Sequence, residues 1–148
     1  MGFAEAVRTV LKLKYATFSG RASRSEFWWF QLFYLLVALA IGLTAALTGA
    51  VSNLEDGPSS LFIALAVIGG LFALAVFLPQ LAVQVRRFHD RNISGWWYLG
   101  LCILSMIPYV GFIAGIAIFV ITVLRGTEGP NKFGPDPLRP EARAEVFA

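Results

Sequence analysis

The 148-residue sequence is 57% hydrophobic and only 14% charged, with a net charge of +3. Globular chains average roughly 45–50% apolar and about 25% charged residues, so both values are displaced toward membrane proteins. A mean hydropathy of +0.70 argues against a disordered chain or a soluble domain, the single cysteine excludes an internal disulfide, and the modest charge gives no basis for a nucleic-acid partner.

Residues 1–15 read as a separate element, an amphipathic interfacial helix. Phe3, Val7, Val10 and Leu11 share one side of a 3.6-residue helix, while Glu5, Arg8 and Lys12 lie opposite, an arrangement suited to anionic headgroups. Lys14 falls on the apolar side, so the helix ends near it or the side chain snorkels. Approaching the first apolar run, Ser23 and Glu26 have the spacing of a reciprocal capping box. Arg21 and Arg24 are placed at headgroup depth, with anchoring the favoured reading and a phosphate or headgroup site made by the two the alternative, and Trp28 and Trp29 form an interfacial aromatic belt. The run Phe27–Ala50 contains 24 residues without an ionisable group, roughly 36 Å of helix against a hydrocarbon core of about 30 Å. It is longer than the 7–15 apolar residues usual in a secretory signal, and 26 residues precede it. A retained transmembrane helix is therefore expected.

A short loop bearing Glu55 and Asp56 leads to the second run, Leu61–Val85, also uncharged over 25 residues. Gln80 and Gln84 share a helix face after Pro79, where amides commonly bond between helices. The densest charge cluster follows: Arg86, Arg87, His89, Asp90 and Arg91. An Asp beside a His can tune a proton acceptor, but adjacency in sequence does not create that geometry. No second His or Cys pair is present for a metal site, and no cofactor or metal is expected. The favoured reading is a salt-bridged polar cap in which Asp90 and Glu26 each take an arginine, with lipid-phosphate binding by Arg86, Arg87 and Arg91 as the alternative. Ser94 can cap the next helix, and Trp96 and Trp97 repeat the belt.

The third run, Trp96–Leu124, is broken by Pro108 and Gly111. Five basic residues precede the first run, none lies in the first loop, three lie in the second and four follow the third run. The positive-inside rule places the N-terminus and second loop in the cytoplasm. A single third crossing would leave the basic tail outside, whereas a hairpin turning at Ile107–Gly111 returns it to the cytoplasm. The hairpin arms, about 12 and 14–16 residues, are short for full crossings, so a re-entrant hairpin shielded by the other helices is preferred. Gly111 and Gly115 form a GxxxG spacing suited to close helix packing, and Cys102 is expected to pack rather than react. The tail from Gly126, with turn residues at nearly every step, reads as a non-helical cytoplasmic cap; its Gly-rich start is no phosphate-binding loop.

The segments F-x-G-R-x-x-R-x-E-F-W at Phe18–Trp28, R-R-x-H-D at Arg86–Asp90, S-G-W-W at Ser94–Trp97, I-P-x-V-G at Ile107–Gly111 and G-T-x-G-x-N-x-F-G-P-D-P at Gly126–Pro137 stand in this order. Together they resemble a family of small bacterial inner-membrane proteins called domain of unknown function 805, over about residues 15 to 138. The resemblance implies a compact polytopic inner-membrane protein without an established activity. It also implies a shared polar centre at Arg21, Arg24, Glu26, Arg86, Arg87, His89, Asp90 and Asp136.

The expected fold is an all-α polytopic membrane protein: an interfacial helix over 1–15, a transmembrane helical domain over 16–125 with two full spans and a broken third segment, and a cytoplasmic tail over 126–148. The favoured function is non-enzymatic, an accessory, assembly or stabilising subunit of a larger membrane complex, or a homo-oligomer, in contact with anionic lipid. The alternatives are a small oligomeric transporter using Gln80, Gln84, Thr44 and Thr48, and an interfacial lipid-headgroup binder using the basic residues and His89.

Overall fold

The computed structural model describes residues 1–51 and 57–139. The acidic loop residues Glu55 and Asp56 and the tail beyond Arg139 lie outside the described residues. The chain forms α1 (Phe3–Arg8), which continues as a π-helical segment over Thr9–Leu13, then α2 (Arg24–Val51), α3 (Ser60–Asp90), α4 (Gly95–Leu104) and α5 (Val110–Val123). No strand occurs among the described residues. This is the all-α membrane architecture expected from the apolar runs.

Both long helices are long and apolar enough to cross a membrane, at 28 and 31 residues. At 1.5 Å per residue they extend roughly 42 and 46 Å, beyond a hydrocarbon core of about 30 Å. The start of α2 uses half of the expected capping box: the Glu26 amide donates to Ser23 Oγ at 3.2 Å, but the Glu26 carboxylate is directed to Arg86 and Lys14. At the start of α3, Ser59 Oγ accepts the Phe62 amide at 3.2 Å. The helix ends where Asn92 takes a left-handed φ of 60°.

Pro79 lies within α3 and cannot donate to the carbonyl four residues earlier. That carbonyl belongs to Ala75, and the Tyr15 hydroxyl donates to it at 2.5 Å. The segment after the leader thus repairs the backbone gap opened by the proline, which apolar surroundings would otherwise leave unsatisfied.

The leader differs from a helix resting only on lipid. Its buried residues are Ala6, Thr9 and Val10, and Val10 enters a cluster with Ala22, Phe27, Phe30 and Val83. Phe3 remains exposed and meets Trp29 edge-on at a centroid distance of 6.0 Å. The winding ends at Leu13, and Lys14 reaches Glu26 at 3.8 Å.

The third apolar run doubles back. An added Cβ at Gly95, the first residue of α4, would lie 2.6 Å from Val85 Cγ1. The carbonyls of Thr122 and Leu124, at the end of α5, accept from Arg87. Both ends of the hairpin therefore lie beside the same end of α3. Its arms of 10 and 14 residues reach roughly 15 and 21 Å, shorter than a full crossing. Tyr109 makes the turn with a φ of 66°. A Cβ at Gly111 would approach the Ser105 carbonyl oxygen to 2.4 Å, so this position accepts only glycine in the observed turn.

Candidate functional site

The polar centre forms where the entry to α2, the end of α3 and the tail meet. The Ala22 amide donates to the Arg86 carbonyl at 3.0 Å, fixing the stretch before α2 against α3. Around this contact the molecule buries its charges. Arg86 and Arg87 have no exposed surface, and Glu26 and Asp90 retain 2% and 3%.

Asp90 is the hub. One carboxylate oxygen accepts from Arg21 Nε at 2.9 Å, and the other accepts from Arg87 Nη1. Arg21 continues outward, donating to the carbonyls of Thr127 at 2.5 Å and Gly129 at 2.6 Å. Arg87 also donates to the carbonyls of Ala22 at 3.3 Å and Thr122 at 2.9 Å, as well as to Leu124. The Asp90 backbone carbonyl receives the Thr127 amide at 2.8 Å. A single carboxylate thus joins two arginines that between them hold the α2 entry, the end of α5 and the tail. Gly126 makes this approach possible, because a Cβ there would lie 2.0 Å from Asp90 Oδ2.

Glu26 forms the second centre by pairing with Arg86. Arg86 Nε and Nη2 have no hydrogen-bond partner among the described residues. The sequence expectation that Asp90 and Glu26 each engage an arginine agrees with this geometry. Arg21, which the family resemblance assigns to the shared polar centre, lies there with its side chain buried against Asp90. Arg24 is exposed. Arg91 leaves the hub and donates to the Arg125 carbonyl.

His89 lies in the same cap without touching Asp90's carboxylate. Its Nδ1 is 3.1 Å from the Gly20 carbonyl oxygen, which can only accept, so this nitrogen carries the hydrogen. The ring stacks on Phe133 at 3.8 Å and 4°, and its backbone carbonyl accepts from Asn131 Nδ2 at 2.9 Å. Asp136 organises the tail: its carboxylate accepts the amides of Gly129 at 3.2 Å and Leu138 at 2.9 Å. The described tail is a non-helical cap held by these bonds. Among the described residues no cluster of three or more His, Cys, Asp or Glu side chains could hold a metal.

Deeper in the molecule, Gln80 Nε2 donates to Gln31 Oε1 at 3.1 Å, giving the interhelical amide bond. Gln31 is the partner that sequence reading missed, although it stands in the first apolar run as that run's only amide side chain. Gln84 is buried on the same side of α3. Gly111 and Gly115 do not form a helix–helix seam within the chain. The first serves the hairpin turn, and a Cβ at the second would meet nothing within 4 Å. Ser94 occupies the N-cap position of α4, but its side chain makes no cap bond. Cys102 is half-buried.

A cavity of about 240 Å³ opens beside the hub, bordered by Arg24, Ser25, Arg125 and Arg139 as well as by Arg21 and Asp90. A groove of about 430 Å³ runs between α2 and α5, with Trp28, Gln31, Leu35, Gly115 and Phe119 among its walls.

The family described as "Protein of unknown function (DUF805)" matches residues 15–135. The chain is 37% identical over 128 residues to the inner membrane protein YhaH of Escherichia coli (strain K12), covering 86% of this chain and 92% of that protein. It is 36% identical over 129 residues to the inner membrane protein YhaI of the same organism, covering 87% and 92%. No solved structure matches. On the family match and these two relatives, the chain belongs to the DUF805 family of membrane proteins.

Proposed function

We propose that this protein is a non-enzymatic accessory or stabilising subunit of the bacterial inner membrane, docking onto a larger membrane protein or a second copy through its helices. The observation that carries this reading is the half-length hairpin. Its two arms flank only the charged end of α2 and α3, leaving Leu43 and Leu47 on α2 and Leu61 and Val67 on α3 more than half exposed. The opposite end of the ribbon offers its apolar helix faces to neighbours in the bilayer.

The charged residues support a structural role. Arg21, Arg87 and Asp90 hold the chain's own elements together. A transport path is also poorly supported: Thr44 and Thr48 donate back to carbonyls in their own helix, and Gln80 is engaged by Gln31. The gathering of the N-terminal segment, the Arg86–Asn92 turn and the basic tail at one end supports a cytoplasmic position for that end.

The test is in-membrane crosslinking from a photoreactive residue at position 43 or 67, followed by mild extraction and mass spectrometry. One reproducible protein adduct, or a specific homodimer, is expected. Adducts to lipid alone at both positions would overturn the accessory reading.

A further inference from the structure

We propose that the α2–α5 side of the molecule is a binding site for one anionic phospholipid, with its phosphate in the arginine-bordered cavity and an acyl chain in the groove below. Four observations carry it, independently of whether the protein docks onto a partner.

The cavity contains unused positive charge. Arg24 and Arg139 border it, and neither guanidinium has an ion pair or hydrogen bond among the described residues. The other charges there are already engaged: Arg21 with Asp90 at 2.9 Å, Arg125 with Glu128 at 3.2 Å, and Asp136 with the Gly129 and Leu138 amides. Two uncommitted guanidiniums line the same cavity as Ser25, whose hydroxyl lies 3.1 Å from that of Ser23, and guanidiniums bind phosphate through their charge and paired N–H donors.

Cavity and groove follow one another along the same two helices. Arg24, Trp28, Gln31 and Leu35 recur at intervals of four, three and four in α2 and therefore share a face; the first borders the cavity and the other three border the groove. On the other side, Phe119 and Thr122 border the groove, while Arg125 and Gly126 border the cavity. The charged cavity is thus followed along α2 by a groove whose lining mixes apolar and aromatic side chains with Gln31, Gln80, Gln84 and Tyr98.

The dimensions agree. From Arg24 to Leu35 the helix rises roughly 16 Å, about half the hydrocarbon thickness of a bilayer. That is the depth occupied by chains from one leaflet. The α5 wall of the groove is open at Gly115, where a Cβ would meet nothing within 4 Å. Trp28 and Phe119, edge-on at 6.0 Å, bridge α2 and α5 at the end nearer the cavity.

A phosphate ion alone would use the cavity and ignore the groove, which separates the two sources of the same chemistry. The full-length protein is reconstituted in nanodiscs containing equal amounts of dioleoyl-phosphatidylglycerol and dioleoyl-phosphatidylcholine, and retained lipid is read by native mass spectrometry. One phosphatidylglycerol per chain is expected to persist. Arg24→Ala/Arg139→Ala removes only exposed, uncommitted side chains, so the fold is retained; it should reduce the preference for phosphatidylglycerol by about tenfold, the scale of losing a charge-assisted bond. Gly115→Leu should lower retention of the dioleoyl lipid while leaving the arginine-dependent preference for anionic headgroups intact. Equal retention of both lipids by the wild type, or unchanged preference in the double arginine variant, would overturn the proposal. Displacement of the lipid by soluble glycerol phosphate at the same concentration as short-chain phosphatidylglycerol would also overturn it, by assigning the cavity to a free phosphate.

Discussion

The two ends of the α2–α3 pair invert the usual relation between polarity and burial. At the charged end, Arg86 and Arg87 are fully enclosed. At the opposite end, Leu43 and Leu47 are 61% and 70% exposed. Both arrangements follow from the same rule applied in different surroundings. Hydrocarbon lipid is as apolar as leucine and supplies little force to bury it, so the outer helices need few internal contacts. Charged groups near that hydrocarbon cannot be left unpaired, and here they are drawn inward around Asp90 and Glu26. The molecule is held together where it is charged, and where it is apolar it leaves helix faces open to lipid and to neighbouring helices.

The largest test of this contrast is Asp90→Asn. The substitution keeps the shape of the side chain but leaves Arg21 and Arg87 buried without their shared carboxylate. Removing one partner from a buried ion pair costs about 3–5 kcal/mol, so reversible unfolding in mixed micelles should show a loss of that size. The α5 end and the tail should lose protection together in hydrogen exchange, since Arg21 and Arg87 tie both to Asp90. A loss below about 1 kcal/mol, the range of exposed pairs, would show that the charged end does not carry the fold.

Gly126→Ala probes the same hub sterically. Its new methyl would meet Asp90 Oδ2 at 2.0 Å, and relieving such overpacking costs about 1–3 kcal/mol. Gly115→Ala, in open space, is the matched control and should leave the unfolding midpoint nearly unchanged. Equal effects of the two alanines would remove the special role assigned to the Asp90 contact.

These residues also show what a sequence can and cannot disclose. The hairpin was legible because Pro108 and Gly111 break an apolar run, and because a basic tail must return to the side of the other basic segments. The pairing of Asp90 was legible from charge alone, as one acid among Arg86, Arg87 and Arg91. The partner of Arg21 was not: an arginine before a span has the same local sequence whether it faces headgroups or a carboxylate 69 positions away. The packing of Ala6, Thr9 and Val10 against the protein has no local sign, since a small residue and a threonine do not mark an apolar face. Gly126 carries no local sign of the carboxylate that lies against it.

Tyr15 ties the chain before α2 to the middle of α3 and provides the finest test. Its hydroxyl reaches from the charged end to the Ala75 carbonyl, which Pro79 leaves without its helical donor. A Tyr15→Phe substitution removes only that donor, and interhelical bonds in membranes are worth about 0.6–2 kcal/mol, so a destabilisation in this range is expected in the same unfolding assay. The decisive background is Pro79→Ala. There the residue 79 amide can reclaim the Ala75 carbonyl through the ordinary i to i−4 bond, and Tyr15→Phe should lose most of its effect. The cycle must therefore be non-additive, with the tyrosine hydroxyl mattering only while the proline is present. Equal losses in both backgrounds would mean that Tyr15 acts through ring packing, and the repair of the α3 backbone by its hydroxyl would have to be abandoned.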